Sequence, residues 1–111
     1  MANTFTRKLS RLVGTTATTV GSYTVPASTT TVVVGLAVTN VTASAISANV
    51  YIQDNSAANT FLVMNGPISA GSSLVVGGGD QKIVLITGDQ LIVQSSAATS
   101  LDAVMSIMEI T

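Results

Sequence analysis

Short apolar segments recur along the chain, and residues typical of turns separate them. No window keeps the i, i+3, i+4, i+7 spacing of an amphipathic helix, whereas short Val, Ile and Thr runs between turns are typical of strands. The pattern predicts eight strands, at Thr16–Val25, Thr31–Val41, Ile46–Gln53, Thr60–Met64, Ser73–Val76, Lys82–Thr87, Gln90–Ser95 and Ala103–Ile110. Gly77-Gly78-Gly79-Asp80 predicts a hairpin loop, because glycines adopt the positive φ angles of tight turns.

Composition supports the same fold class. Val, Ile and Thr make up 39 of the 111 residues, and these β-branched types fit a pleated surface. A chain of this length holds one hydrophobic core. We therefore expect an all-β fold: a single antiparallel β-sandwich, jelly-roll or Ig-like, of about eight short strands.

Charge is unevenly distributed. Three of the four basic residues, Arg7, Lys8 and Arg11, lie at the start of the chain. This divides the chain into a basic N-terminal arm (residues 1–14) and a sandwich domain (residues 15–111). Two interpretations remain open: the cations keep a first strand soluble, or the arm binds an acidic partner surface.

The last predicted strand is apolar on both faces. Val104, Met108 and Ile110 alternate with Met105 and Ile107, although a strand with one wet face should alternate apolar and polar residues. Either the chain's own loops cover the second face, or this face meets another subunit. Soluble monomers seldom expose large apolar patches, which favours the second explanation. The candidate interface residues are Val104, Met105, Ile107, Met108, Ile110, Phe61 and Val63.

Candidate chemistry is scarce. The chain has no Cys and no His, which excludes thiolate nucleophiles and the usual general base. The acids Asp54, Asp80, Asp89, Asp102 and Glu109 could pair as in a glycosidase, and the loop oxygens of Asp54, Asn55 and Asn59 could hold a hard cation, but turn-forming roles explain these residues. We expect no enzyme activity, no metal, no cofactor and no small-molecule substrate.

Membrane and nucleic-acid partners are also disfavoured. The apolar runs are far shorter than the roughly 20 residues of a spanning helix, and three basic residues neutralise few phosphates. Gly14-Thr15-Thr16 interrupts the chain where the apolar part of a secretory signal would follow the basic residues. Synthesis in a cytoplasm is therefore expected.

Several segments carry a resemblance to a known group of proteins. They are Asn3–Lys8, Val20–Pro26, Val34–Asn40, Pro67–Leu74, Gly78–Leu85, Thr87–Val93 and Ser106–Ile110. They are distributed along nearly the whole chain, which resembles the small β-sandwich virion proteins of tailed bacteriophages.

The resemblance implies a non-enzymatic structural role in the virion. It favours a capsid decoration, or cement, subunit that forms a homotrimer, with Arg7, Lys8 and Arg11 contacting the major capsid protein or another virion protein. The alternatives are a neck, tail-adaptor or fibre-attachment protein, and more distantly a glycan-binding host-attachment module. Either virion role places the protein on the capsid surface or at the neck and tail.

Overall fold

The fold is all-β, as predicted. The computed structural model describes residues 3–77 and 82–111, and within these ranges it contains nine strands and no helix. The strands are β1 (Asn3–Val13), β2 (Thr18–Thr24), β3 (Thr30–Asn40), β4 (Ile46–Gln53), β5 (Asn59–Ile68), β6 (Ser73–Gly77), β7 (Ile83–Leu85), β8 (Gln90–Ser95) and β9 (Leu101–Ile110).

The strands form two antiparallel sheets with a nested connectivity. Sheet A has the order β1-β9-β3-β6, with β7 paired to the other half of the β3 edge that β6 occupies; sheet B has the order β2-β8-β4-β5. β1 therefore pairs with β9, β2 with β8, β3 with β6, and β4 with β5. This nesting of strand pairs across two sheets defines a jelly roll, here with β7 as an additional short strand.

The core lies between the two sheets. Sheet A supplies Val33, Leu36, Val38, Met105 and Ile107, and sheet B supplies Val20, Val50, Leu91 and Val93, all of which are at most 2 % exposed. The fully buried Asn40 is satisfied: its Nδ2 donates to the carbonyls of Ser44 and Ile68, and its Oδ1 accepts from Thr42. Asn40 therefore fixes the chain after β3 without leaving an unpaired buried polar group.

A β-bulge in β3 resets which residues point inward. Val33 pairs with Ile107 and Gly35 pairs with Ser106, so Val34 is the extra residue of the bulge. Inward positions are odd up to Val33 and even from Leu36 onwards. Val34 and Gly35 therefore both lie on the outer side of sheet A.

The segment predicted as an arm forms part of the sandwich. Asn3–Val13 is β1, an edge strand of sheet A that pairs with β9 along its length. Ser10 accepts a hydrogen bond from the backbone N–H of Gly21, and this bond ties β1 to β2. Residues 3–7 are exposed, so the first half of β1 is held mainly by its pairing with β9.

Two strand boundaries differ from the prediction for identifiable reasons. β5 continues through Gly66 and Pro67 to Ile68, because β5 is the edge strand of sheet B and the missing N–H of Pro67 is not needed by a further neighbour. β7 ends at Leu85, because Asp89 closes a turn by accepting a hydrogen bond from the backbone N–H of Ile86 and donating its own backbone N–H to the Ile86 carbonyl. The predicted hairpin begins at Gly77, the last residue of β6, and its other residues, 78–80, lie outside the described ranges.

The two methionines of β9 test the division between inner and outer positions. We expect Met105→Ala to lower the free energy of unfolding by about 2–5 kcal/mol, because Met105 is fully buried and its truncation leaves a cavity. Met108→Ala, on the opposite face of the same strand, should change it by no more than about 0.5 kcal/mol in the isolated chain. Denaturant unfolding at low protein concentration measures both, and equal losses would contradict the assigned register.

Candidate functional site

The outer face of sheet A carries two apolar rows that cross its strands. Directly paired residues share a face, so the register defines rows that cross the strands. One apolar row consists of Phe5, Met108, Val32 and Val84. A second consists of Leu9, Val104, Ala37 and Val75. Between them lies a row of Arg7, Ser106 and Gly35. We call these three rows the outer face of sheet A.

Much of this face is open to solvent. Phe5 is 72 % exposed, Val75 71 %, Val84 59 % and Val104 47 %. These four side chains are therefore not covered by any loop within residues 3–77 and 82–111. An apolar patch that spans a whole sheet is typical of a surface that another macromolecule covers.

The outer face of sheet B differs in chemistry. Its paired positions include Asn49 with Gln94 and Gln53 with Gln90, which lie on either side of Tyr51 and Ile92. Tyr51 and Ile92 are only 7 % and 5 % exposed, and the ring of Tyr51 lies 4.8 Å from that of Phe61. Sheet B therefore presents amides to solvent between apolar groups, since Phe61 and Met64 of its edge strand β5 are 40 % and 66 % exposed.

A shallow depression of about 450 Å³ lies in the middle row of the outer face of sheet A. Its lining consists of Phe5, Thr6, Arg7, Val34, Ser106 and Ile107. The depression therefore borders the Phe5 row, with Arg7 and Val34 at its sides. Gly35, next to Val34, also leaves open space, since a Cβ added there would meet no atom within 4 Å. We call this depression the trough and the two apolar rows the ridges.

The three basic residues of β1 have different surroundings. Arg7 points outward into the trough, and neither Arg7 nor the exposed Arg11 makes an ion pair with any residue of 3–77 or 82–111. Lys8 instead places its ammonium 5.0 Å from the centre of the Tyr23 ring, a cation–π contact within the chain. Of the three basic residues that were predicted to contact a partner, Arg7 and Arg11 therefore face outward.

Tyr23 joins both sheets at one end of the sandwich. Its phenol donates to Oε2 of Glu109 at 2.7 Å and lies 2.7 Å from the Thr31 hydroxyl, which links β2 to β9 and β3. Burial, followed by the hydrogen bond to Glu109 and its charge, raises the pKa of Tyr23 to about 12, although the Thr31 hydroxyl opposes this shift.

The seven predicted interface residues do not form one surface. Val104 belongs to the outer face of sheet A, as does Met108, and Ile110 continues that side of β9 in the next row. Met105 and Ile107 are fully buried on the inner side of β9, so they belong to the interior of the sandwich rather than to a subunit surface. Phe61 is 40 % exposed on sheet B, and Val63 packs against the core.

Four apolar residues of the outer face of sheet A are not among the seven predicted interface residues. Phe5, Leu9, Val75 and Val84 join the outer face of sheet A through the pairing of β1, β6 and β7 with their neighbours. Their apolar character is visible in the sequence. Their common face depends on strand order and register, which the sequence pattern does not reveal.

The described acids serve the local backbone or a neighbouring side chain. Asp54 accepts from the N–H groups of Ser56 and Ala58, Asp102 accepts from Leu12 N–H, and Glu109 binds Tyr23. In the loop considered for a cation, Asn59 Oδ1 also accepts from the side chain of Gln53. Within the described ranges no group of three or more acids could hold a metal ion; Asp80 lies outside these ranges.

A membrane-crossing helix is likewise not found among the described residues, since none of them forms a helix of sufficient length and apolarity.

Comparison with solved structures identifies chains of similar fold. The chain aligns over 97 % of its length with a chain from infectious bursal disease virus, Gx strain, with a TM-score of 0.58 and 15 % identity. It aligns over its full length with a chain of the Bacillus endospore appendages, disulfide-linked pili, with a TM-score of 0.53 and 13 % identity, covering 91 % of that chain. A chain from the T13 particle of infectious bursal disease virus gives a TM-score of 0.56 at 9 % identity over 96 % of this chain.

These similarities show a shared fold. The chain spans about a third of the length of the two viral chains, 32 % and 30 %. No protein-family model matches the chain. No curated protein matches it either.

The Tyr23 cluster predicts a stability loss in strong alkali. Because the folded-state pKa is raised from 10.0 to about 12, the unfolded state releases the phenolic proton first as the pH rises. The contribution of Tyr23 is therefore complete below pH 10 and is lost progressively between pH 10 and about 12. We expect the free energy of unfolding to fall more steeply over this range in the parent protein than in Tyr23→Phe, measured by denaturant titrations. Equal pH dependence would show that Tyr23 ionises normally.

Proposed function

We propose that this chain is a non-enzymatic structural subunit of a virion. More specifically, we propose a tailed-phage capsid decoration subunit that associates with copies of itself and binds the capsid surface. The observation that carries the proposal is the outer face of sheet A. It is a broad and exposed apolar surface on a chain that offers little catalytic chemistry.

The exposure of the two ridges to solvent supports the proposal. Each ridge leaves large side chains in water, with Phe5 72 % and Val75 71 % exposed, so covering them is favourable in proportion to the apolar area removed. Sheet B exposes amides together with Phe61 and Met64 on its edge strand, so its surface is of mixed character. A subunit with one predominantly apolar face fits a shell component, because neighbouring proteins of the shell can cover that face.

The fold supports the proposal without determining the role. Jelly rolls occur in viral capsid proteins, and they also occur in lectins, so the role has to be argued from the surface. The absence of His and Cys from the sequence and the local engagement of the described acids fit a structural part better than an enzyme.

The basic edge strand supplies the proposed capsid contact. Arg7 and Arg11 are exposed on β1, and they are available to an acidic surface of the major capsid protein or another virion protein. The tailed-phage resemblance implies that the assembled form is a homotrimer, and we retain this as part of the proposal.

Self-association should depend on the apolar ridges. We expect Val104→Asp to weaken self-association by about tenfold or more, because assembly would then bury a carboxylate without a partner. Val104 is 47 % exposed in the single chain, so the substitution should leave the fold intact. The matched control is Thr24→Asp, which adds the same charge to an exposed position of β2 in sheet B. Sedimentation velocity over a concentration series measures both variants, and a parent protein that stays monomeric throughout would contradict the proposal.

Capsid binding requires a separate measurement. The parent protein should co-sediment with purified capsids of the virus that encodes it, and Arg7→Glu with Arg11→Glu should reduce this binding. Because Arg7 lies within the outer face of sheet A, Arg11→Glu alone is the variant expected to reduce binding while leaving self-association unchanged. Imaging of the labelled protein on virions then locates it. A distribution over the shell supports the decoration role, whereas a single ring at the neck would establish the alternative role of a neck or tail component.

A further inference from the structure

Most of β1 adds backbone pairing to the sandwich without adding to its core. We call residues 3–10 the β1 segment, and none of its side chains is buried. Its inward positions, which pair with inward positions of β9, are all polar: they are Thr4, Thr6, Lys8 and Ser10. Detaching the β1 segment would therefore break its pairing with β9 but would leave the apolar core filled.

β1 is interrupted directly after this segment. The regular register with β9 ends at Ser10 and resumes at Val13, so Arg11 and Leu12 form a bulge. Leu12 has a φ of 51° and a side chain that is 55 % exposed. A left-handed backbone is unfavourable for a bulky residue. The strand therefore changes course at a strained point that is open to solvent.

The chain that follows the bulge is fixed to the sandwich. Val13 is 3 % exposed, and its carbonyl accepts the backbone N–H of Ser100 at 3.1 Å. The carbonyl of Gly14 accepts the backbone N–H of Ser95 at 2.9 Å. The β1 segment can therefore open as a unit about the bulge, while the chain from Val13 onwards keeps its place.

The contacts of the β1 segment specify what can replace it on β9. Ser10 accepts the backbone N–H of Gly21 at 2.9 Å. Lys8 places its ammonium 5.0 Å from the centre of the Tyr23 ring. A strand from an unrelated protein would lack this serine and this lysine at the required positions. A second copy of this chain brings the same segment, so it reproduces every contact that the structure shows at this edge.

We propose that the β1 segment is exchanged between copies, so that it pairs with β9 of a neighbouring copy while the bulge straightens. An extended strand of residues 3–10 is about 26 Å long and can lie along β9 of an adjacent sandwich. Because pairing re-forms in the same register, the closed and exchanged forms differ mainly at the bulge, where exchange relieves the left-handed backbone of Leu12. This inference goes beyond the proposed function, which concerns contacts between surfaces, and it does not require a virion.

Cross-linking tests the exchanged pairing, since the natural chain has no cysteine. Phe5 and Met108 are directly paired between β1 and β9. Phe5→Cys and Met108→Cys chains are mixed at high concentration, incubated, diluted and treated with oxidised glutathione. Two thiols then form one interchain disulfide, as the glutathione disulfide takes up two electrons and two protons. The expected product is the covalent heterodimer, identified by mass.

Two controls define the geometry of this cross-link. A single chain that carries both Phe5→Cys and Met108→Cys should close an intrachain disulfide, which shows that the paired positions can be bridged. Phe5→Cys mixed with Val104→Cys should give little heterodimer, because Val104 lies about 13 Å from Met108 along β9.

Variants of Leu12 separate exchange from contact between surfaces. In the two cysteine chains, Leu12→Gly adopts the positive φ without strain, so we expect it to lower the heterodimer yield by about fivefold or more. Leu12→Ile is the matched variant of equal size. Its β-branched side chain disfavours the positive φ, so it should raise the yield. Leu12 lies in the bulge and outside the paired rows of the outer face of sheet A.

The outcomes also separate exchange from the proposed function. Exchange is wrong if the double-cysteine chain closes its own disulfide but the mixed chains give no more heterodimer than the Val104→Cys control. Equal yields from Leu12→Gly and Leu12→Ile would likewise overturn it. Since exchange requires the β1 segment to detach first, the proposed function is judged on freshly diluted protein and on capsid binding. It stands if the parent self-associates and binds capsids without exchange, and it fails if the parent is monomeric and indifferent to capsids.

Discussion

The position of β9 between β1 and β3 is the constraint on which the rest of the molecule depends. Hydrogen bonding on both edges fixes the register of β9, so its residues alternate strictly between the core and the outer face. Met105 and Ile107 thereby fill the sandwich, while Val104 and Met108 stand outside. A shift of one residue would exchange the two sets and leave the core with Ser106 in place of a large apolar side chain.

The bulge in β3 adapts the neighbouring strand to this register. By placing both Val34 and Gly35 on the outside, it lets Val33 and Leu36 both point inward. It also places Val34 beside Ser106 in the lining of the trough. One irregularity in the ladder therefore serves the packing of the core and shapes the surface.

Buried polar groups hold the ends of the sandwich where apolar packing alone would not specify a geometry. Asn40 binds the loop after β3 and the end of β5, and Tyr23 joins β2 to Glu109 on β9 and Thr31 on β3. Each of these groups has its partners, so their burial costs little and their directionality fixes how the strands meet. The outer face of sheet A differs, because its exposed side chains, Phe5 and Val104 among them, are not enclosed by the sandwich.

The sequence by itself determined the all-β class, most of the strand positions and the presence of more apolar surface than one core requires. These properties follow from local composition and periodicity, as in the two-sided apolar pattern of β9. Only the tertiary structure decided which of those apolar residues are surface. Met105 and Val104 are equivalent in the sequence pattern, and they are separated only by strand pairing between residues far apart in the chain. The same holds for Phe5, whose place beside Met108 depends on the first strand pairing with the last, and for Lys8, whose charge contacts Tyr23 while Arg7 faces outward. The local sequence pattern indicates that side chains alternate between the two faces of a strand. The burial of a given side chain depends on which strands pair and in which register.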